Sequence, residues 1–173
     1  MPEIPSFGTV RENEERRDGG CAIVYDPETK LFAVGARPNN HYHVLFSGGF
    51  DAGEDAETGV LRELREESGL CNYALVEKVG EAYAHYFNRV KRVNRVAHTT
   101  CYLVVLKDTD TVPTALEEHE NFTLHFVTRE ELLSNWNAGN EDGDLDHWIY
   151  YLEKASIRVS ELEAEGIIGK VAK

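Results

Sequence analysis

Three glutamates, Glu63, Glu66 and Glu67, crowd one short segment behind a glycine-rich stretch, and no other feature of this 173-residue chain limits its fold as tightly. The segment from Gly48 to Leu70 reads GGFDAGEDAETGVLRELREESGL. Asp55 suits a helix N-cap and Gly69 a left-handed stop, while Val60, Leu61 and Leu64 give the residues between them one apolar stripe. Gly59 inside that helix points to a close approach of the helix to a sheet. Residues three and four apart share a helix face, so the three carboxylates converge. Unpartnered, they would repel one another. A hard divalent cation, magnesium or manganese, relieves the repulsion because such ions prefer carboxylate oxygens. The competing reading is a solvated, salt-bridged helix face, since Arg62 and Glu66 form an ordinary i,i+4 pair. The glycine loop and its fixed distance from the glutamates favour the metal.

Gly48, Glu54, Arg62, Glu63, Leu64, Glu66, Glu67, Gly69 and Leu70 fit the pattern G-x5-E-x7-R-E-U-x-E-E-x-G-U, with U aliphatic, at every defined position. On these residues the chain resembles the Nudix hydrolase family. The resemblance implies an α/β/α sandwich, an α+β arrangement with a mixed central β-sheet. It also implies metal-dependent hydrolysis of the diphosphate linkage in a nucleoside diphosphate joined to a group X. Carried over by position, Glu66 and Glu67 are the main metal ligands, Glu63 activates water or joins them, and the Gly48 carbonyl completes the set. Arg62 holds a carboxylate in a bidentate grip, and Glu54 supports the loop. One departure is Ser47, where a glycine is usual, which bears on the shape of the loop.

The resemblance extends downstream. Members commonly supply a further acid or base before a late strand, and EEHENFTLHFVTREEL, residues 117–132, resembles that region. Glu120 is in best register, with Glu117, Glu118 and His119 as alternatives; a solvated acidic loop is the competing reading. Tyr86, 16 residues past the box, gives a weak resemblance to dinucleoside polyphosphate hydrolases, where such a tyrosine stacks on a base. Dinucleoside polyphosphates, nucleotide sugars and ADP-ribose are the candidate substrates. Two other readings stand beside a hydrolase. One is a silent nucleotide-binding module, although such members often lose the glutamates kept here. The other is an isopentenyl-diphosphate-isomerase-like enzyme, for which no cysteine lies in the matching place.

Charge narrows the partners. With 18 basic against 31 acidic residues the net charge is −13, which repels nucleic acid and anionic membranes while leaving a small phosphorylated ligand admissible at a metal. No apolar run approaches a membrane span, and residues 1–19 lack a secretory core. Cys21, Cys71 and Cys101 have no metal-ligand spacing and read as reduced thiols of a cytoplasmic protein. Arg89, Lys91, Arg92 and Arg95 are the one dense basic group. They suit distal phosphates or, equally, a solvated hairpin. His43, with His41 and Tyr42, suits either a base-stacking pocket or plain strand packing.

Residues 1–19 read as a loose arm or edge strand before a single domain over 20–173. Strands are expected at 20–26, 31–37, 43–49, within 73–88, at 95–107 and at 122–127, with a hairpin tip at 89–95. Thr128 and Glu131 form a capping box that opens a helix to about Trp136. The last helix, about 145–164, carries an apolar stripe of Leu145, Trp148, Ile149, Leu152, Val159 and Leu162, which would pack on the core or on a second copy in a homodimer.

Overall fold

A computed structural model describes residues 3–38, 42–118 and 120–169. Eight strands form one mixed sheet: β1 (Ser6–Gly8), β2 (Glu15–Arg16), β3 (Gly19–Asp26), β4 (Leu31–Ala36), β5 (Phe46–Gly49), β6 (Tyr73–Asn88), β7 (Val93–Leu106) and β8 (Thr123–Val127). Their order is β1-β6-β7-β3-β4-β8, with β2 pairing β7 and β5 pairing β3. The helices are α1 (Ala56–Ser68), α2 (Arg129–Gly139) and α3 (Asp146–Ala164).

Side-chain alternation along the central strands feeds two cores. Ala22 and Val24 of β3, with Tyr102 and Val104 of β7, pack with Val60 and Leu64 of α1. Cys21, Ile23 and Tyr25 face the other way, toward Trp136 of α2 and Tyr151, Leu152, Val159 and Leu162 of α3. The result is a sheet layered between α1 and the α2/α3 pair. Leu64 is fully enclosed, and burying a side chain of that size contributes about 1.5–3 kcal/mol. The apolar stripe of α3 is therefore used against the chain's own sheet. No helix among the described residues is long and apolar enough to cross a membrane.

The local signals act where the sequence places them. Asp55 caps α1 by accepting from the Thr58 N–H at 2.9 Å, and Gly69 ends it at φ 79°. Thr128 and Glu131 bond reciprocally at the start of α2, which runs on to Gly139 rather than stopping near Trp136. The strand expected over 43–49 is regular only from Phe46, because Val44 makes a single bridge to Gly35. The hairpin tip is tighter than expected, since β7 starts at Val93. Of the first 19 residues, those described, from residue 3 on, are tied to the sheet: β1 pairs in parallel with β6 at the edge, and β2 in parallel with β7. Gly59 admits the Phe50 ring and the Glu54 carboxyl; a β-carbon would lie 2.6 Å and 2.8 Å from them. The close neighbour that requires this glycine is thus the loop, not the sheet.

β3 divides its antiparallel edge. Its end, from Val24 to Asp26, pairs with β4, while its start, from Gly19 to Ala22, pairs with β5. The site lies beside β5, where that edge changes partner.

Candidate active site

The glycine loop and α1 fix the carboxylates. A β-carbon on Gly48 would stand 2.2 Å from Glu63 Oε1, so only glycine leaves room for that carboxyl. The Gly48 carbonyl oxygen lies against Gly19, 2.4 Å from where a β-carbon there would stand, and so is turned toward β3. The neighbouring Ser47 N–H donates to Glu67 Oε1 at 2.7 Å, which pins the end of α1 to β5. Glu67 is 5 % exposed.

Arg62 is the organiser. Its Nε donates to Glu54 Oε2 at 2.8 Å and its Nη2 to Glu54 Oε1 at 3.0 Å. Nη1 reaches Glu63 at 3.0 Å and Glu66 at 3.3 Å, and Nη2 also reaches the Gly49 carbonyl at 3.3 Å. The bidentate grip therefore falls on Glu54 rather than Glu66. Glu54 closes the loop by accepting the Asp51 N–H at 3.0 Å, and Arg62 with the Asp51 N–H holds its carboxyl down at about 2. Glu66 remains the most open of the three box carboxylates on α1, its side chain 40 % exposed against 16 % for Glu63.

Glu120, 53 residues further along the chain, is brought near enough to Glu67 to raise its carboxyl. Its own loop is held by the Glu117 N–H donating to Glu120 Oε1 at 3.0 Å. Glu117 thus serves as a backbone brace for Glu120; His119 lies outside the described residues. Burial pushes Glu67 up to about 10, Glu120 and Glu63 add to the shift, and the Ser47 N–H opposes it. Burial likewise raises Glu63 to about 6, against the pull of Arg62. Glu63, Glu67 and Glu120 thus act on one another electrostatically, with the Arg62 guanidinium bonded to Glu63 at their margin. This is the donor chemistry of a hard divalent cation, and it fits: a bound cation would displace the proton that burial, with Glu120 and Glu63, keeps on Glu67. Among the described residues no three acidic, His or Cys side chains stand close enough together to hold an ion as they are placed.

The other expected residues divide. Tyr86 and Arg95 are direct cross-strand partners on β6 and β7. Arg95 is 8 % exposed. Arg89 and Arg92 sit exposed at the hairpin tip, and Arg89 is ion-paired with Glu141. His43 is on the α2 side of the sheet. Its N–H donates to Asn135 Oδ1 at 2.7 Å, its carbonyl accepts from Trp136 Nε1 at 2.9 Å, and its ring stacks on His125 in a separate open groove. The structure does not bring His43 to the glutamates. Arg17, absent from the expected set, lies over Gly49 on the far side of the glycine loop from α1. Its only sequence signal is its position just ahead of Gly19 and Gly20, where a charged run meets the first long strand.

The model of the NUDIX domain matches residues 15–149, most of the chain, and the chain belongs to the Nudix family. With its full complement of box acids it is a Nudix pyrophosphohydrolase. Among solved structures, it is similar to the NUDIX domain of Shewanella oneidensis NrtR complexed with ADP ribose, with a TM-score of 0.60 at 14% identity over 84% of this chain and 90% of that one. It is similar also to a C. elegans Ap4A hydrolase binary complex, with a TM-score of 0.60 at 16% identity over 84% of this chain and 98% of the other. At these identities the likeness concerns the fold. No curated protein gives a significant sequence match.

Proposed function

We propose that the chain is a divalent-metal-dependent hydrolase that cleaves the diphosphate linkage of a nucleoside diphosphate joined to a group X. The observation that carries this reading is the approach of Glu120 to the buried Glu67, beside Glu63 under Gly48. Two distant segments bring carboxylates together; without metal a proton on Glu67 relieves the repulsion, and a bound cation would take that proton's place. Glu63, Glu66 and Glu67 would hold Mg2+ or Mn2+. When bound, the ion neutralises phosphate oxygens, orients water and lowers its pKa.

The chain's own groups do the rest. Glu120, on a loop rather than the helix, accepts the proton from the attacking water. Arg62 keeps Glu63 and Glu66 aimed through Nη1 while Glu54 fixes the guanidinium. The Ser47 N–H orients Glu67. The box reports the chemistry rather than X. Dinucleoside polyphosphates and ADP-ribose are the leading candidates, since the two similar structures are an Ap4A hydrolase and a NUDIX domain complexed with ADP ribose; nucleotide sugars stay on the panel. Three free thiols are consistent with a cytoplasmic setting.

The test is a hydrolysis screen with magnesium and with manganese across dinucleoside polyphosphates, ADP-ribose, nucleotide sugars, NADH and nucleoside triphosphates, with Glu66→Gln as control. Turnover of one class, lost in the variant, supports the reading. Silence across the panel removes it in favour of a binding module.

A further inference from the structure

Arg17 and Arg95 are two guanidiniums without adequate counter-charge in an acid-rich chain. Arg17 is exposed and lies flat across Gly49: a β-carbon there would come within 2.5 Å of its Nε and 2.6 Å of its Nη2. Among the described residues no carboxylate pairs with it. Arg95 is more than nine-tenths buried, yet its Nε has no hydrogen-bond partner. Its one carboxylate neighbour, Glu15, stands off at 3.8 Å with most of its side chain in solvent. A buried donor left unmet is destabilising, the more so when it is charged. With 31 acidic residues to 18 basic ones, a folded chain has carboxylates to spare for both arginines.

Register places the two together. Glu15 stands opposite Arg95 and Arg16 opposite Val96, so Arg17 comes two positions along from Arg95 and, by alternation, on the same face of the sheet. Tyr86 faces Arg95 across the ladder, and its hydroxyl feels both guanidiniums. Gly49 joins this patch to the catalytic loop. Its neighbour Gly48 opens toward Glu63 on one face, while Gly49 itself opens toward Arg17 on the other. Arg17 and Glu63 thus flank consecutive residues of the same loop, on its two faces.

We infer that Arg17 and Arg95, walled by Tyr86, form an anion subsite for a phosphate beyond the linkage that is cleaved. The substrate class it selects is one whose X group carries further phosphate charge, a polyphosphate chain rather than a neutral sugar. This deepens the proposed function, and its meaning for catalysis rests on that reading. Arg89 and Arg92 are outside the subsite, at the exposed end of the hairpin.

The primary test needs no turnover. Binding of sodium tripolyphosphate is measured by calorimetry in EDTA, where the carboxylates have no cation and repel the probe. The unmodified protein binds, Arg17→Ala weakens binding at least tenfold, and Lys107→Ala, an exposed change at the far end of β7, stays within twofold. Absence of binding by the unmodified protein, or equal binding by Arg17→Ala, overturns the subsite. With magnesium, the KM of Arg17→Ala for diadenosine tetraphosphate rises about tenfold more than its KM for ADP-ribose; equal rises overturn the selectivity. If tripolyphosphate binding depends on Arg17 while no panel substrate turns over, the subsite stands and the hydrolase reading falls. If hydrolysis runs but tripolyphosphate binding ignores Arg17, the hydrolase reading stands and the subsite falls.

Discussion

Arg62 clasps Glu54 through two parallel hydrogen bonds, at 2.8 and 3.0 Å, while its third nitrogen steadies Glu63 and Glu66. One guanidinium thereby sets the loop and two glutamates at once. A lysine keeps the charge and loses the fork. Arg62→Lys is expected to fold and to lose about 10–100-fold in turnover or metal affinity, the range for removing a residue that orients ligands. Steady-state kinetics against magnesium concentration read the loss; an unchanged profile would show that Glu54 holds the loop alone.

Gly48 is the tightest point of the site. Gly48→Ala places a methyl group 2.2 Å from the present Glu63 Oε1. The flexible carboxyl end moves aside, so folding survives while Glu63 leaves its position. Turnover is expected to fall by about two orders of magnitude, a loss of the size carried by one positioned catalytic group. Retention of full activity with an intact melting curve would mean that Glu63 has no part in the reaction.

Glu67 and Glu120 separate metal binding from proton transfer. Glutamine at 67 can still accept the Ser47 N–H and is neutral like the protonated carboxyl it replaces in the metal-free protein. Glu67→Gln should therefore melt no lower than the unmodified protein in EDTA, and should lose the stabilisation that magnesium confers. For a site at a hundred times its Kd that stabilisation is about 2.7 kcal/mol. Thermal shift with and without metal decides it, and a full magnesium response in the variant would remove Glu67 from the ligands.

Glu120→Gln should keep the magnesium response and lower kcat about 10²-fold or more with little change in KM. A kcat unchanged at saturating metal removes Glu120 from the chemistry.

His147 gives a pH signature away from the site. It is buried against the Trp148 and Tyr151 rings, and burial alone lowers it to about 4. The unfolded chain takes up this proton below about pH 6.5 and the folded one does not, so the contribution is complete above 6.5 and is lost as pH falls toward 4. Over that window the loss approaches about 3 kcal/mol, at about 1.4 kcal/mol per pH unit. Glu63 and Glu67, being raised, act in the opposite sense in metal-free protein. The quantity to measure is therefore the difference between His147→Leu and the unmodified protein in urea unfolding from pH 7 to 4.5. The variant should gain relative stability steadily on acidification; a constant difference would contradict a neutral buried imidazole.

The helix that carries the glutamates was legible because its signals are local. Asp55, Gly69 and the glutamate spacing each act within a turn or two of chain, and Thr128 with Glu131 likewise. Glu120 was legible only through the family resemblance, since nothing in its own loop announces Glu67 as a neighbour. His43 shows what spacing conceals. Strand alternation gives it the face of Leu45, whose core holds Trp136, and the sequence does not tell which face of a short strand will meet which helix. Arg17 escaped because its significance is wholly tertiary: it depends on parallel pairing of β2 with β7 and on the bare Cα of Gly49. The same pairing draws residues 15 and 16 into the sheet, so that of the two readings of the first 19 residues, loose arm or edge strand, the strand holds there.

β6 and β7 are joined by a short turn and zip together from it, whereas β3 meets β7 across about 80 positions of chain, Gly19 standing opposite Thr99. The ribbon can close by local search, but the parallel pairing bears the entropy of a long loop and a high contact order. Gly19 and Gly20 also carry β5 and the glycine loop. The catalytic loop therefore gains its backing only when that distant pairing is made. Competence of the site is a late event in folding, and refolding followed by enzymatic recovery should lag behind the appearance of sheet structure.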